Sequence, residues 1–181
     1  MPKAKTIGSS EIQAAIERLA DAILARHSNP PGLLFLGVAN GGVELARRLA
    51  LKLNARAGTL DVSFHRDDIG RHPIPKEFAP THIPADVHGA TIILVDDVLF
   101  SGRTVKAALN ELFDHGRPTK VELAVLVDRG GRRLPLAADY VGIDLVTPQS
   151  EKVVVSLDPQ DARRDTIRLQ PANAAIRPSA I

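Results

Sequence analysis

Hydrophobic and polar positions along the chain follow two periods, one helical and one strand-like. Apolar residues recur at helical spacing over 10–27, and Ser9 or Ser10 with Gln13 predicts a capped helix start. Continuous apolar runs predict strands buried on both faces, at 33–38, 91–95 and 121–127. Two further helices are predicted, from Val43 to Leu53 and near 103–115. This order is typical of an α/β domain with a parallel sheet and crossover helices.

The remaining segments predict short strands and one long loop. Strand candidates with shorter apolar patterns lie at 60–64, 139–142, 153–157 and 166–169. The stretch from His65 to Gly89 is rich in proline, histidine and charge, which predicts a long loop of the kind that is usually functional. We interpret residues 1–181 as a single domain in which about 171–181 form a loose tail.

Composition narrows the class of protein. Aromatic residues make up only 3% of the chain, so the core must be aliphatic, and the absence of cysteine excludes disulfides and thiolate metal sites. No apolar run approaches the roughly 20 residues that span a bilayer, and the N-terminus lacks the pattern of a signal peptide. We therefore expect a cytoplasmic protein without a membrane partner. The net charge of +2 does not by itself indicate nucleic-acid binding.

Two acidic residues and a glycine-containing loop follow the clearest strand. Asp96 and Asp97 come directly after the apolar run, where carboxylates can accept hydrogen bonds from the vicinal hydroxyls of a ribose. Gly102 permits positive φ and close backbone approach, and a helix is predicted to begin near Arg103. Free N–H groups and the positive end of the helix dipole would then converge on one point, as a phosphate site requires. Together these parts predict a ribose-5-phosphate site.

The string from Val95 to Thr104 resembles the PRPP-binding motif of type I phosphoribosyltransferases, where PRPP is phosphoribosyl pyrophosphate. The similarity to one family of these proteins, PyrR, extends from about residue 10 to about 169. It is carried by several further strings, namely those at 64–68, 116–118, 123–130, 134–135, 138–142 and 150–153.

The resemblance implies a type I phosphoribosyltransferase fold, with a parallel-sheet core flanked by helices, a small hood and a long flexible lid loop. It implies a uracil phosphoribosyltransferase that makes UMP and pyrophosphate from uracil and PRPP with Mg²⁺, working as a homodimer or larger homo-oligomer. The alternative is an RNA-binding regulator of pyrimidine-operon attenuation that senses UMP or PRPP with little catalysis. A nucleotide sensor with neither property is a third reading.

The resemblance also assigns site residues. Asp96 and Asp97 would hold the ribose hydroxyls, with Asp97 stabilising the cation that develops at C1. The 5-phosphate would be bound by Val98, Leu99, Phe100, Ser101, Gly102, Arg103 and Thr104. Pyrophosphate would be bound by Asn40, Gly41, Gly42 and Arg66. The base would lie under a hood formed by Asp128, Arg129, Tyr140 and Val141, with Tyr140 stacked on uracil. Residues 67–82 would form the lid, and Mg²⁺ would be held mainly through PRPP.

Two departures from the family pattern bear on function. The pyrophosphate loop usually reads Thr-Arg-Gly, but here it is Asn40-Gly41-Gly42, so a charge-assisted contact is lost. The positions that are basic or polar in RNA-binding relatives are here Glu17, Asp21, Gly131, Ala137 and Ile143. Negative charge opposes RNA phosphates, which weakens the regulatory alternative. The remaining candidates for RNA contact are Arg18, Arg132 and Arg133.

Overall fold

The computed structural model describes residues 6–63 and 80–172, and two sheets organise them. The central sheet is parallel and contains β2 (Leu34–Val38), β3 (Arg56–Leu60), β4 (Thr91–Leu99), β5 (Lys120–Asp128) and β6 (Tyr140–Asp144). Its order is β3-β2-β4-β5-β6, so β4 lies at the centre. The second sheet is antiparallel, in the order β1-β8-β7, and contains β1 (Thr6–Ile7), β7 (Glu151–Ser156) and β8 (Thr166–Pro171).

Helices cover both faces of the central sheet. They are α1 (Ser9–Arg26), α2 (Gly42–Lys52) and α3 (Arg103–Asp114), with short 3-10 helices at Pro30–Gly32 and Ala162–Arg164. Apolar residues of α1 and α2 pack with Phe35, Ile93 and Leu126 on one face. Those of α3 pack on the other face, against residues such as Leu36 and Leu94. The predicted α/β architecture is confirmed, and in the described residues no helix is long and apolar enough to cross a membrane.

The predicted capping box of α1 is wrong. Gly8 is the N-cap, and its carbonyl accepts a hydrogen bond from the N–H of Ile12. The Gln13 amide instead donates to Asp165 at 2.7 Å, because the chain folds the turn before β8 against this helix. The Gln13 side chain therefore makes a tertiary contact with Asp165 instead of the capping contact that the local sequence predicted.

The strand predicted at 60–64 is wrong, since the strand is β3 and it ends at Leu60. Beyond it, Asp61 accepts the N–H of Ser63 at 2.9 Å, which turns the chain. Gly58 lies where the His82 backbone crosses the outer edge of β3, and a Cβ there would be 2.3 Å from the His82 carbonyl oxygen. A glycine in mid-strand is needed for that close approach, and it hid the strand in the sequence pattern.

The structure differs from two further predictions, one at the end of β4 and one in the second sheet. β4 continues through Asp97 to Leu99, so the loop before α3 is only Phe100–Gly102, hereafter the phosphate loop. The strands predicted at 153–157 and 166–169 exist, but they pair antiparallel with each other, outside the central sheet. The chain returns through residues 157–165, which include the 3-10 helix Ala162–Arg164, rather than through the longer crossover that parallel pairing requires.

Candidate active site

Asp96 and Asp97 lie at the carboxyl end of the central strand, where ligands bind in open α/β sheets. Asp96 is buried and accepts the N–H of Asp97 at 3.0 Å. Asp97 is partly exposed and accepts the N–H of Val98 at 2.7 Å. These contacts use one oxygen of each carboxylate, so oxygen atoms remain to accept hydrogen bonds from a ligand.

Burial of the two adjacent carboxyls changes their acidity. Burial, reinforced by the charge of Asp97, raises the pKa of Asp96 well above its usual range. Burial also raises the pKa of Asp97, and this is offset in part by the N–H of Val98, by Asp96 and by the charge of Lys152. A ligand that donates hydrogen bonds to the ionised carboxylates would therefore bind better as the pH rises.

A pocket lies beside this acidic pair, at the amino end of α3. Its volume is about 90 Å³, several times the roughly 10–15 Å³ that one water needs. It is lined by Asp96, Val98, Leu99, Phe100, Ser101, Gly102, Thr104 and Val105. The structure thus brings together all but one of the residues predicted for the 5-phosphate. Arg103 does not line the pocket, and its N–H faces the Ser101 hydroxyl at 3.3 Å.

The conformation of Gly102 opens this pocket to an anion. Its φ of 90° is left-handed, which only glycine adopts without strain. The first intrahelical bond of α3 runs from the N–H of Lys106 to the Gly102 carbonyl, 2.9 Å away. The N–H groups of the residues before Lys106 in the first turn have no acceptor within the helix. They form the positive end of the helix dipole, which is suited to a phosphate.

The predicted pyrophosphate loop lies directly against the acidic pair. A Cβ on Gly41 would be 2.5 Å from the Asp97 carboxylate, and one on Gly42 would be 2.1 Å from the Val95 carbonyl oxygen. A side chain at Gly41 would displace the Asp97 carboxylate, and one at Gly42 would collide with the backbone of β4. The peptide bond between Ala39 and Asn40 is cis. Arg66, the fourth residue predicted for pyrophosphate, lies outside the described residues, as does most of the predicted lid.

The stacking role predicted for Tyr140 is wrong. Its register partner on β5 is Ala124, which lies beside Val95 of β4, one residue before the acidic pair. Tyr140 is 3% exposed, and its hydroxyl donates to Glu122 at 2.8 Å. Its ring is therefore part of the core that α1 and α2 cover, and it is not free to stack on a base. Val141, one residue further on, pairs with Val125, which is the register partner of Asp96, so its backbone lies level with the acidic pair and its contact with the base stays a prediction.

Asp128 and Arg129 do reach the carboxyl edge, but their side chains are committed to the protein. Asp128 accepts the N–H of Gly130 at 2.9 Å and forms an ion pair with Arg132. Arg129 is buried, lies 4.2 Å above the Phe100 ring centroid, and donates to the Pro148 carbonyl at 3.0 Å. Its Nε has no partner among the described residues. Both side chains therefore support the phosphate loop and the segment after β6 from within.

Lys152 is the residue of this site to which the sequence assigned no role. It lies on β7 in the antiparallel sheet, beside Gln170 of β8, and its charge acts on Asp97 of β4. The second sheet therefore approaches the acidic pair, and the hood expected around residues 128–141 stays a prediction. The only signal in the sequence was a lysine inside the family-like string at 150–153.

Several charged residues with predicted minor roles are engaged elsewhere. Asp158 accepts the N–H groups of Gln160 and Asp161 at 2.8 Å and 3.0 Å, so its carboxylate stabilises the turn that follows β7. Among the candidate RNA contacts, Arg18 donates to the Gly142 carbonyl at 2.8 Å and Arg132 binds loop carbonyls. Their guanidinium groups are thus partly used inside the protein.

Comparison with known proteins agrees with this geometry. The family model described as "Phosphoribosyl transferase domain" matches residues 8–161. The chain is 47% identical over 172 residues to "Bifunctional protein PyrR" of Streptomyces coelicolor, covering 91% of this chain and 88% of the relative. It is 46% identical over 169 residues to the protein of that name in Deinococcus radiodurans, covering 88% and 91%.

Solved structures support the fold. A hypoxanthine phosphoribosyltransferase from Trypanosoma cruzi, a point mutant in a ternary substrates complex, superposes with a TM-score of 0.66 at 23% identity, covering 93% of this chain and 96% of that one. A purine phosphoribosyltransferase from Pyrococcus horikoshii gives 0.58 at 24% identity, covering 76% and 83%. The match to the domain model over most of the chain and the close relatives together identify the chain as a member of the PyrR family of phosphoribosyltransferases.

Proposed function

We propose that this protein transfers the phosphoribosyl group of PRPP to uracil, forming UMP and pyrophosphate. The observation that carries the proposal is the convergence of three parts at one edge of the sheet. These parts are the acidic pair Asp96 and Asp97, the pocket at the amino end of α3, and the loop Asn40–Gly42 that touches Asp97. The acidic pair touches both the pocket and the loop, as the ribose of PRPP is joined to both the 5-phosphate and the pyrophosphate.

The acidic pair would hold the ribose and stabilise its reacting form. Two vicinal hydroxyls donate to the free oxygens of Asp96 and Asp97, which fixes the sugar ring beneath the leaving group. As the bond from C1 to pyrophosphate breaks, positive charge develops on the ring. The ionised carboxylate of Asp97 is partly buried, so its field on that charge is screened less than it would be in water.

The two ends of PRPP would be held by backbone groups. The 5-phosphate accepts hydrogen bonds from the phosphate loop and the first turn of α3, and pyrophosphate lies along Asn40, Gly41 and Gly42. No group of three or more His, Cys, Asp or Glu that could hold a metal occurs among residues 6–63 and 80–172. The two buried carboxylates are hard oxygen donors suited to Mg²⁺ that is held mainly by PRPP, and the bound ion would neutralise the charge of the leaving group.

The base would lie on the β7 side of the ribose. Val98 is partly buried at the end of β4, and Lys152 of β7 is near enough for its charge to act on Asp97. A flat pyrimidine could occupy the space between these two strands, with its reacting nitrogen towards C1. Asp128 and Arg129 would then shape the site indirectly, through the phosphate loop and Pro148.

RNA binding is the second candidate, and the word "bifunctional" in the names of the relatives favours it. Two features of this chain oppose it, namely the acidic Glu17 and Asp21 and the internal hydrogen bonds of Arg18. A homodimer or larger assembly could restore a basic face, so light scattering and binding to a pyrimidine-operon leader RNA at several salt concentrations are the relevant measurements. Absence of salt-dependent binding would exclude this candidate.

The test of the main proposal is UMP formation from uracil, PRPP and Mg²⁺, with cytosine, hypoxanthine and guanine as control bases. Turnover that is specific for uracil is the expected result. Saturable binding of PRPP without turnover of any base would instead favour a sensor, and absence of PRPP binding would refute the assignment of the site.

A further inference from the structure

The guanidinium of Arg132 lies against the backbone of the phosphate loop. Its Nη1 donates to the Phe100 carbonyl at 2.8 Å and to the Leu99 carbonyl at 3.3 Å. Its Nε donates to the Leu136 carbonyl at 3.1 Å, and its Nη2 pairs with the Asp128 carboxylate. One side chain thus binds the phosphate loop, the end of β5 and the segment after it.

Neighbouring backbone groups hold the same face of the loop. The Ser101 carbonyl accepts the N–H groups of Arg133 and Leu134 at 3.0 Å and 3.1 Å, and the Leu99 carbonyl also accepts the N–H of Arg129 at 3.1 Å. Three successive carbonyls, at 99, 100 and 101, are therefore directed towards segment 129–134.

This arrangement determines where the N–H groups of the loop point. In a planar trans peptide, the N–H of a residue points opposite to the carbonyl of the residue before it. Because those three carbonyls face segment 129–134, the N–H groups of Phe100, Ser101 and Gly102 face the other way. The pocket is lined by these same residues, so the N–H groups and the first turn of α3 form one anion-binding concavity.

We propose that Arg132 is a positioning residue for the 5-phosphate, which it serves by fixing the peptide orientation of the phosphate loop without touching the ligand. This inference rests on the proposed function and names a determinant of its phosphate subsite. Asp128 orients the guanidinium, since its two oxygens accept from Arg132 and from the N–H of Gly130. The planar fork of arginine reaches several carbonyls at once, which the single ammonium of lysine cannot do.

The test is binding of ribose 5-phosphate by calorimetry, together with KM values for PRPP and uracil. Loss of these charged hydrogen bonds in Arg132→Met should raise the Kd for ribose 5-phosphate and the KM for PRPP by roughly 10- to 100-fold. The KM for uracil should change far less, because the base does not lie on this loop. Arg132→Lys should restore little, whereas added guanidinium ion should restore binding to Arg132→Gly. Arg163→Met, at a side chain that is 89% exposed, is the matched control.

The outcomes distinguish failure of the positioning role of Arg132 from failure of the proposed function. If the unaltered protein fails to bind ribose 5-phosphate and PRPP, the proposed function is wrong. If it binds both, and Arg132→Met or Arg132→Lys binds them equally well, the positioning role alone is overturned. Arg132→Lys keeps a cation beside Asp128 and is therefore expected to fold even if Arg132→Met does not. Thermal unfolding of each variant measures whether it is folded.

Discussion

Replacement of Gly41 by alanine tests the contact between the loop Asn40–Gly42 and the Asp97 carboxylate. Gly41 has φ −63° and ψ −37°, which alanine adopts freely, so the backbone imposes no cost. The new Cβ would be 2.5 Å from both Cγ and Oδ2 of Asp97, a distance at which one of the two groups must move. The carboxylate is the movable group, and its rotation would break the 2.7 Å hydrogen bond from the N–H of Val98.

The size of the effect follows from that hydrogen bond. A hydrogen bond to a charged group contributes roughly 1.5–3 kcal/mol, so loss of the correct Asp97 position should lower kcat/KM by roughly 10- to 150-fold. Steady-state kinetics of UMP formation with PRPP as the varied substrate measures this. Gly8→Ala is the control, because a Cβ there has no atom within 4 Å.

The same contact with Asp97 bears on the arginine that the family usually carries at the position of Gly41. Gly41→Arg would restore the usual residue of the loop, but its Cβ meets Asp97 as that of alanine does, so turnover should fall. An unchanged kcat/KM in Gly41→Ala, or a raised one in Gly41→Arg, would show that Asp97 does not act from the position described here.

Three further predictions concern acidic groups. Asp97→Asn should keep the fold, as judged by circular dichroism, and lose on the order of 100-fold in kcat, because the carboxylate facing the ribose cation is removed. Since burial and the charge of Asp97 raise the pKa of Asp96, affinity for PRPP should increase with pH more steeply in the unaltered protein than in Asp96→Asn, and equal slopes would contradict this. Hydrogen bonds from Lys120, Tyr140 and His27 outweigh burial and lower the pKa of Glu122 to about 2, a contribution of about 3 kcal/mol. That stability is present above about pH 4.5 and lost as the pH falls towards 2, so urea unfolding of Glu122→Gln should differ from the parent at pH 7 and converge with it in acid.

The parts of the site that the sequence predicted are those encoded locally. A buried strand, two acids, a glycine and a helix start are contiguous from 91 to 104, so the ribose and phosphate subsites could be inferred from one string. The pyrophosphate loop was inferred from the resemblance, and only the structure shows why its glycines touch Asp97 and Val95.

The parts that were missed depend on contacts between distant segments. The sequence predicted that Tyr140 stacks on the base, but its ring is 3% exposed in the core and its hydroxyl donates to Glu122. The second sheet is built by β1, β7 and β8, and no local pattern predicts it because β1 near residue 6 pairs with β8 near residue 168. From the sequence Arg132 is a candidate RNA contact, and nothing in its neighbours along the chain predicts its hydrogen bonds to the carbonyls of Leu99 and Phe100.

A crystal structure with PRPP and Mg²⁺ would show directly where the ribose, the 5-phosphate and the pyrophosphate bind. We expect the 5-phosphate on the N–H groups between Phe100 and Thr104, the ribose hydroxyls on Asp96 and Asp97, and pyrophosphate along Asn40–Gly42. A ligand whose ribose lies away from the two carboxylates, or whose 5-phosphate lies outside the pocket at the amino end of α3, would contradict this expectation.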